Sequence, residues 1–407
     1  MSTTPVSSAL QTPTGETMAR PQRRLESIDG LRGLACLIVL LYHSYVFFGY
    51  IAWPRLSFGS FPLFHRNVFA YGYGGVDLFF VLSGFCLTYP IVSRPERPVD
   101  WKQYAVNRVR RIIPPYWAAL LLFGCLSLWI THDTIQPFAS QQILGWVGTR
   151  QVIYSVVLVS HTFNGSFWTL PVEWRWYFVL PALIWLWRRI KGGGVLLCLI
   201  PFSLVSIFLL MPSHQEQLKF IVSPLFSYMP LFGLGIWAAS LAVSQESYKG
   251  EHWIKKLTPI GLAFTLIVVV MFAPLDVPYF GGVSVLLRLL TWGPFCFFLV
   301  LAATQEGLIR HIVSWHPLVK VGTFSYSLYL THEPFLHMAA ALILPHHWPA
   351  GWILLCQIVI LPAVLIGFGY LFFLVAEKPF LRRPVKKAIE AELQGVEPAK
   401  TSSGVIS

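Results

Sequence analysis

Long apolar runs alternate with short polar, mostly basic stretches along almost the whole chain. Ten runs approach membrane length, at roughly residues 31–50, 73–92, 112–131, 172–187, 194–211, 224–243, 258–274, 283–304, 323–344 and 352–375. A bilayer core about 30 Å thick needs about 20 apolar residues to cross as a helix. Hydrocarbon offers backbone N–H and C=O groups no partners, so spanning segments must bond within themselves. The pattern therefore predicts an all-α, polytopic membrane bundle of about ten transmembrane helices. Residues 1–24, rich in Ser, Thr and Pro, read as a disordered tail. They are no secretory signal, because the apolar run that follows is too long and has no small-residue cleavage pattern. Residues 25–380 form the transmembrane domain, and 381–407 a basic, disordered C-terminal tail. Segment 152–163 is apolar but short, and reads as re-entrant or interfacial.

Charge fixes the orientation. With the N-terminus inside, the cytoplasmic segments hold 23 of the 30 Lys and Arg residues, and the opposite side holds Arg55, Arg66, Arg150 and Lys219. Cytoplasmic loops carry such an excess of basic residues, so both termini are expected to be cytoplasmic in a multi-pass protein of the cell (plasma or inner) membrane. An odd insertion at 152–163 would spoil the asymmetry. The net charge of +12 is then a topology signal and not a nucleic-acid footprint. Composition agrees: 55% of residues are hydrophobic, only 12% are charged, and mean hydropathy is +0.62. Soluble domains carry about 25% charged residues. The six cysteines are scattered through the apolar runs with no CxxC pair, which argues against disulfide frameworks and metal sites.

Against this background the polar residues inside spans stand out, because each is costly there and is a functional hypothesis by default. His43 follows Arg32 by eleven residues in the first run, which places it roughly 16 Å deeper in a helix. Counted from basic residues at the cytoplasmic edge, Glu173 lies at roughly 22 Å, His332 at roughly 18 Å and Ser83 at roughly 16 Å, with Asp77 about 9 Å further out. Four spans thus bring a polar group to one layer. Histidine titrates nearest neutrality, so a neutral His43 can take a proton from a hydroxyl. Glu173 is the expected carboxylate partner, orienting the ring and stabilising the imidazolium, with Asp77 as a second candidate. The bland readings are an interior hydrogen-bonded histidine at position 43, a His332 that only repairs the backbone near Pro334, and a Ser83-Gly84 pair that only permits close helix packing. Arg108, Arg110 and Arg111 either anchor the topology or recognise phosphate through their guanidinium forks. Arg175 either meets an anionic acceptor or neutralises Asp77.

Several motifs recur in order. They are Asp29-Gly-Leu-Arg-Gly with His43 beyond it, Gly75-Val-Asp-Leu-Phe-Phe-Val-Leu-Ser-Gly-Phe85, and Arg108-x-Arg110-Arg111 before Pro114-x-Tyr116. Trp168-Thr-Leu-Pro-Val-Glu173 with Tyr177 and Pro181, Ser325-Tyr-Ser-Leu-Tyr-x-x-His332-x-Pro334, and Glu377-Lys-Pro-Phe380 complete the series. Together they resemble the acyltransferase-3 family of membrane acyltransferases. The resemblance implies transfer of an acyl group, commonly acetyl, from acyl-CoA as donor substrate to a hydroxyl acceptor such as a saccharide, a lipid-linked sugar or a small metabolite. It implies a catalytic His43, and coenzyme A contacts at Arg32 and at Arg108 and Arg111; Arg110 of the same basic cluster is a candidate for that set as well. The chain departs from the family pattern at Pro171 and at Trp174-Arg175, where a second acidic residue is common. It also ends about thirty residues after the last span, so the acceptor is expected to be recognised by spans and short outer loops. The alternative from another class is a proton-coupled transporter that uses the same His and Glu layer as a relay. The internal repeats that many transporters show are not evident.

Overall fold

The structure, a computed structural model, describes residues 25–48, 68–133, 156, 165–210, 223–247, 252–272, 282–346 and 348–381. The predicted tails 1–24 and 382–407, and segment 152–163 apart from Val156, lie outside the described residues. Among the described residues there is no strand. The helices are α1 (Glu26–Phe47), α2 (Gly74–Val92), α3 (Trp101–Asp133), α4 (Thr169–Val205), α5 (Met229–Ser247), α6 (His252–Phe272) and α7 (Gly282–Thr304). Then follow α8 (Leu308–Val313), α9 (His316–Thr323), α10 (Ser325–Ile343) and the segment α11 (Ala350–Phe380), which contains π-turns at Cys356–Ile360 and Phe373–Glu377.

Seven of the described helical segments are long and apolar enough to cross a membrane. They cover eight of the ten predicted runs; the third and ninth fall in α3 and α10, which do not meet that criterion. One segment holds two runs because α4 breaks at Lys191, whose φ of 62° leaves the helical region. Both arms then pack on the same partner. Trp187 Nε1 donates to Ser240 Oγ at 2.7 Å, and Gly192 abuts Trp237 and Ser240. Trp176 Nε1 donates to the Leu225 carbonyl at 3.2 Å, and Ser203 Oγ to that of Ser227 at 2.9 Å. The arms therefore run antiparallel about a basic turn containing Arg188, Arg189 and Lys191.

Apolar side chains cover the outside as well as the core. Ile260, Phe264 and Ile267 line an exposed face of α6, and Leu371 and Val375 do the same on α11. A surface this apolar is soluble only in lipid, and the protein is a multi-pass integral membrane protein. Without a hydrophobic driving force between helices, close backbone approach through small residues holds such bundles together. The Asp29-Gly-Leu-Arg-Gly motif owes its glycines to this. A Cβ on Gly30 would lie 1.6 Å from the Val313 carbonyl oxygen, and one on Gly33 2.1 Å from that of Leu318. Gly84 meets the Phe232 carbonyl in the same way, and Gly235 that of Val81. Gly84 thus plays the packing role expected of it.

Candidate active site

Helix geometry aims the polar residues of α1. At 100° per residue, Gly30 and Gly33 face α8 and α9, while Arg32 points away from them into the bundle. Eleven residues return to within about 20° of the same direction, so Arg32 and His43 share one face of α1 with roughly 16 Å between them. The two ends of that face carry different chemistry.

At the Arg32 end lies a cavity of about 850 Å³, counted to its open mouth, whose walls include Arg32, Arg108, Arg111, Ser83, Glu173 and Tyr177. Three guanidinium groups thus meet one carboxylate across an apolar floor that includes Phe79, Phe80 and Leu82. Arg108 is sandwiched by aromatic rings, its Cζ 5.5 Å from the Tyr104 centroid and 5.6 Å from that of Tyr177. Its Nε is buried with no protein hydrogen-bond partner among the described residues. Arg110 is exposed and does not line the cavity, which removes it from the predicted cationic set. One residue along a helix is a 100° turn, and that turn carries Arg110 away from the face shared by Arg108 and Arg111.

At the His43 end, the ring lies against a second histidine: His43 Nδ1 is 3.1 Å from His332 Nε2, with centroids 4.9 Å apart. The backbone assigns the tautomers. His43 Nδ1 also lies 3.0 Å from the Val39 carbonyl, and His332 Nδ1 lies 2.7 Å from the Tyr329 carbonyl. A carbonyl only accepts, so in each neutral ring Nδ1 carries the hydrogen and Nε2 a lone pair. His43 Nε2 therefore has a lone pair that nothing among the described residues engages. Pro334 cannot donate to the Leu330 carbonyl, but His332 turns to that of Tyr329, so its ring does not replace the bond that the proline removes.

Two further groups stand behind His332. Ser166 Oγ is 3.4 Å from its Nε2, and both the backbone N–H and hydroxyl of Ser166 donate to Glu333 Oε2. Glu333 Oε1 lies 3.6 Å from His337 Nε2 one turn along α10. Tyr329 connects this group with the cavity. It lines the inner wall, its ring is 5.4 Å from His332's, and its hydroxyl donates to the Ser166 carbonyl at 2.6 Å.

The predicted single layer is thus two groups. Glu173 is not the partner of His43: its Oε1 accepts from Ser83 Oγ at 2.8 Å and from Tyr177 OH at 2.6 Å, on the cavity side. Ser83, read mainly as a packing residue, makes a specific bond. Asp77 is not in the histidine group either, because it forms a buried bidentate pair with Arg288, with oxygens 3.0 Å from Nη2. The Arg288 guanidinium also stacks 4.8 Å from the Tyr73 ring. Counting residues gave depth but not azimuth: Asp77 and Ser83 lie about 120° apart around α2, so they meet different helices. Sequence reasoning passed over Ser166, Glu333 and His337. Glu333 carried the same signal as the others, a carboxylate inside an apolar run, beside a histidine already singled out.

The helical membrane bundle thus holds a basic cavity and, beyond its inner wall, a pair of histidines in contact. A family model described as an acyltransferase domain, that of the acyltransferase-3 family, matches residues 25–374, and the chain belongs to that family. It is similar to the peptidoglycan O-acetyltransferase OatA of Listeria monocytogenes, with 23% identity over 354 residues that cover 81% of this chain and 52% of that protein. It is also similar to the O-acetyltransferase OatA of Staphylococcus aureus, 24% identical over 347 residues, with coverage of 79% and 52%. The putative peptidoglycan O-acetyltransferase YrhL of Bacillus subtilis is 24% identical over 384 residues, with coverage of 88% and 55%. The chain spans about half the length of these curated relatives. No solved structure matches it.

Proposed function

We propose that the chain is an O-acyltransferase of the cell membrane, moving an acyl group, acetyl in the simplest case, from acyl-CoA to a hydroxyl of a saccharide, lipid-linked sugar or small metabolite. The observation that carries this reading is the open lone pair on His43 Nε2, held by the Val39 carbonyl and His332, roughly 16 Å along one helix face from the arginine-lined cavity. The cavity suits a phosphate-bearing donor, because guanidinium groups bond anionic oxygens in pairs. Arg32, Arg108 and Arg111 would hold the phosphates of coenzyme A on the cytoplasmic side, and the pantetheine arm is an extended chain able to reach towards Tyr329 and His43. His43 Nε2 then takes the acceptor's hydroxyl proton as its oxygen attacks the thioester carbonyl. The C–S bond breaks, and the same proton passes to the departing thiolate. The relatives named as peptidoglycan O-acetyltransferases support a carbohydrate acceptor.

Labelled acetyl-CoA supplied to membranes bearing the chain, followed by mass spectrometry of everything that gains label, tests this reading. Label on a hydroxyl-bearing acceptor, with release of free thiol, is the expected result. Acceptor or proton flux across liposomes without thiol release would instead establish the transporter.

A further inference from the structure

Deprotonating a hydroxyl makes His43 an imidazolium inside the membrane, and an isolated charge there is expensive. A carboxylate that can offset it must lie on the Nδ1 side, because Nε2 faces the acceptor. Glu173 is committed to Ser83 and Tyr177 and Asp77 to Arg288. Glu377, also buried, accepts from Ser327 Oγ and has Arg111 and Arg32 as its charge neighbours, so among the buried carboxylates of the described residues Glu333 remains, at 6% exposure beside His332 at 1% and Ser166 at 2%. His43 Nδ1–H donates to His332 Nε2, and Ser166 Oγ, 3.4 Å from that nitrogen, donates its hydrogen to Glu333 Oε2. Neither Ser166 Oγ nor His332 Nε2 has a hydrogen left for the other, so their approach is a packing contact and the carboxylate reaches the rings through space. His332 offers a lone pair towards His43, and Ser166 donates both of its hydrogens to the carboxylate.

We propose that Glu333, packed behind His332 and held by Ser166, is the carboxylate whose charge offsets the positive charge His43 gains in the transfer step. This rests on the acyl-transfer reading above. No proton leaves His43 through Nδ1, since the Val39 carbonyl requires a hydrogen there; Glu333 acts by its charge. In the triad arrangement the carboxylate touches the base directly. Here a neutral histidine stands between, so the charge acts at longer range, strengthened by the low dielectric of the buried site. The titratable groups facing His43 are His332, Glu333 and His337 of α10 and Tyr42 of its own helix. The imidazole of His337, one turn beyond, shares Glu333 and moderates its effect.

The test uses the full chain purified in detergent, acetyl-CoA as donor and a detergent extract of host membranes as the acceptor pool. Glu333→Gln keeps an oxygen for Ser166 but removes the charge. It should lower kcat at least about tenfold, leave KM for acetyl-CoA within about twofold, and move the acid limb of the rate–pH profile down by about one unit. The sign follows because, without the negative charge, protonated His43 costs more and the free base persists to lower pH. Glu333→Asp should return the limb towards wild type. Ser166→Ala, which removes one of the two donors that hold the carboxylate, should act in the same direction and more weakly; it carries the test if Glu333→Gln does not fold. A limb that stays in place in these variants, or a loss that falls on KM, overturns the proposal. If the wild-type chain itself releases no thiol with any acceptor, the acyl-transfer reading fails instead.

Discussion

His332 Nε2 stands 3.1 Å from His43 Nδ1, across two helices that are 289 residues apart in the chain. Because both rings carry their hydrogen on Nδ1, the contact is a donor meeting a lone pair and not two like groups forced together. His332 therefore holds His43 in one tautomer. Replacing it with Phe keeps the ring volume and removes the acceptor. We expect His332→Phe to lower kcat by about a hundredfold with little change in KM for acyl-CoA, measured by thiol release. An unchanged kcat would remove His332 from the site.

The arginines of α3 divide by face, and so should their variants. Arg108→Ala combined with Arg111→Ala should raise KM for acyl-CoA at least about tenfold, since each charge-assisted hydrogen bond contributes about 1.5–3 kcal/mol. Arg110→Ala, on the exposed side, should leave it within about twofold. Steady-state kinetics over a range of acyl-CoA concentrations distinguishes these. Equal effects from all three would point to a general surface-charge role.

The pairing of Asp77 with Arg288 predicts a stability signature. Removing one partner of a buried ion pair costs about 3–5 kcal/mol, whereas replacing both by apolar residues of similar size is often neutral. Asp77→Leu alone should therefore lower the thermal unfolding midpoint in detergent strongly, and Asp77→Leu with Arg288→Met should restore most of it. If Asp77→Leu instead abolishes acyl transfer at full stability, Asp77 belongs to the chemistry after all.

Close helix contact makes the prediction for Gly84 steric. A methyl group there would sit 2.2 Å from the Phe232 carbonyl oxygen, so Gly84→Ala must push α2 from α5. Overpacking of this kind costs about 1–3 kcal/mol. Thermal shift and detergent monodispersity should both worsen, and a wild-type melting curve would contradict the packing.

The helices and their apolar faces were legible because hydropathy periodicity and the cost of bare backbone in lipid act locally along the chain. The turn at Lys191 was legible too, as a basic break between two apolar runs. His43 and His332 were correctly brought to one level by counting rise. The pairing of Glu173 with His43 failed because depth along a helix says nothing about direction around it, and direction depends on which neighbour each helix meets. Those meetings are set by glycine contacts such as Gly30 with Val313 and Gly84 with Phe232, whose partners are far away in sequence. Glu333 was legible as a carboxylate in an apolar run, but its partner Ser166 lies 167 residues away in the chain.

The central claim is that His43 is the base of an acyl transfer, and the most direct measurement is thiol release from acetyl-CoA by purified wild-type chain and His43→Ala side by side, each with the acceptor pool. The account predicts acceptor-dependent thiol release by the wild type and a rate lower by at least about a hundredfold in the variant, with the variant folded and still binding acetyl-CoA. Full activity of His43→Ala would contradict it.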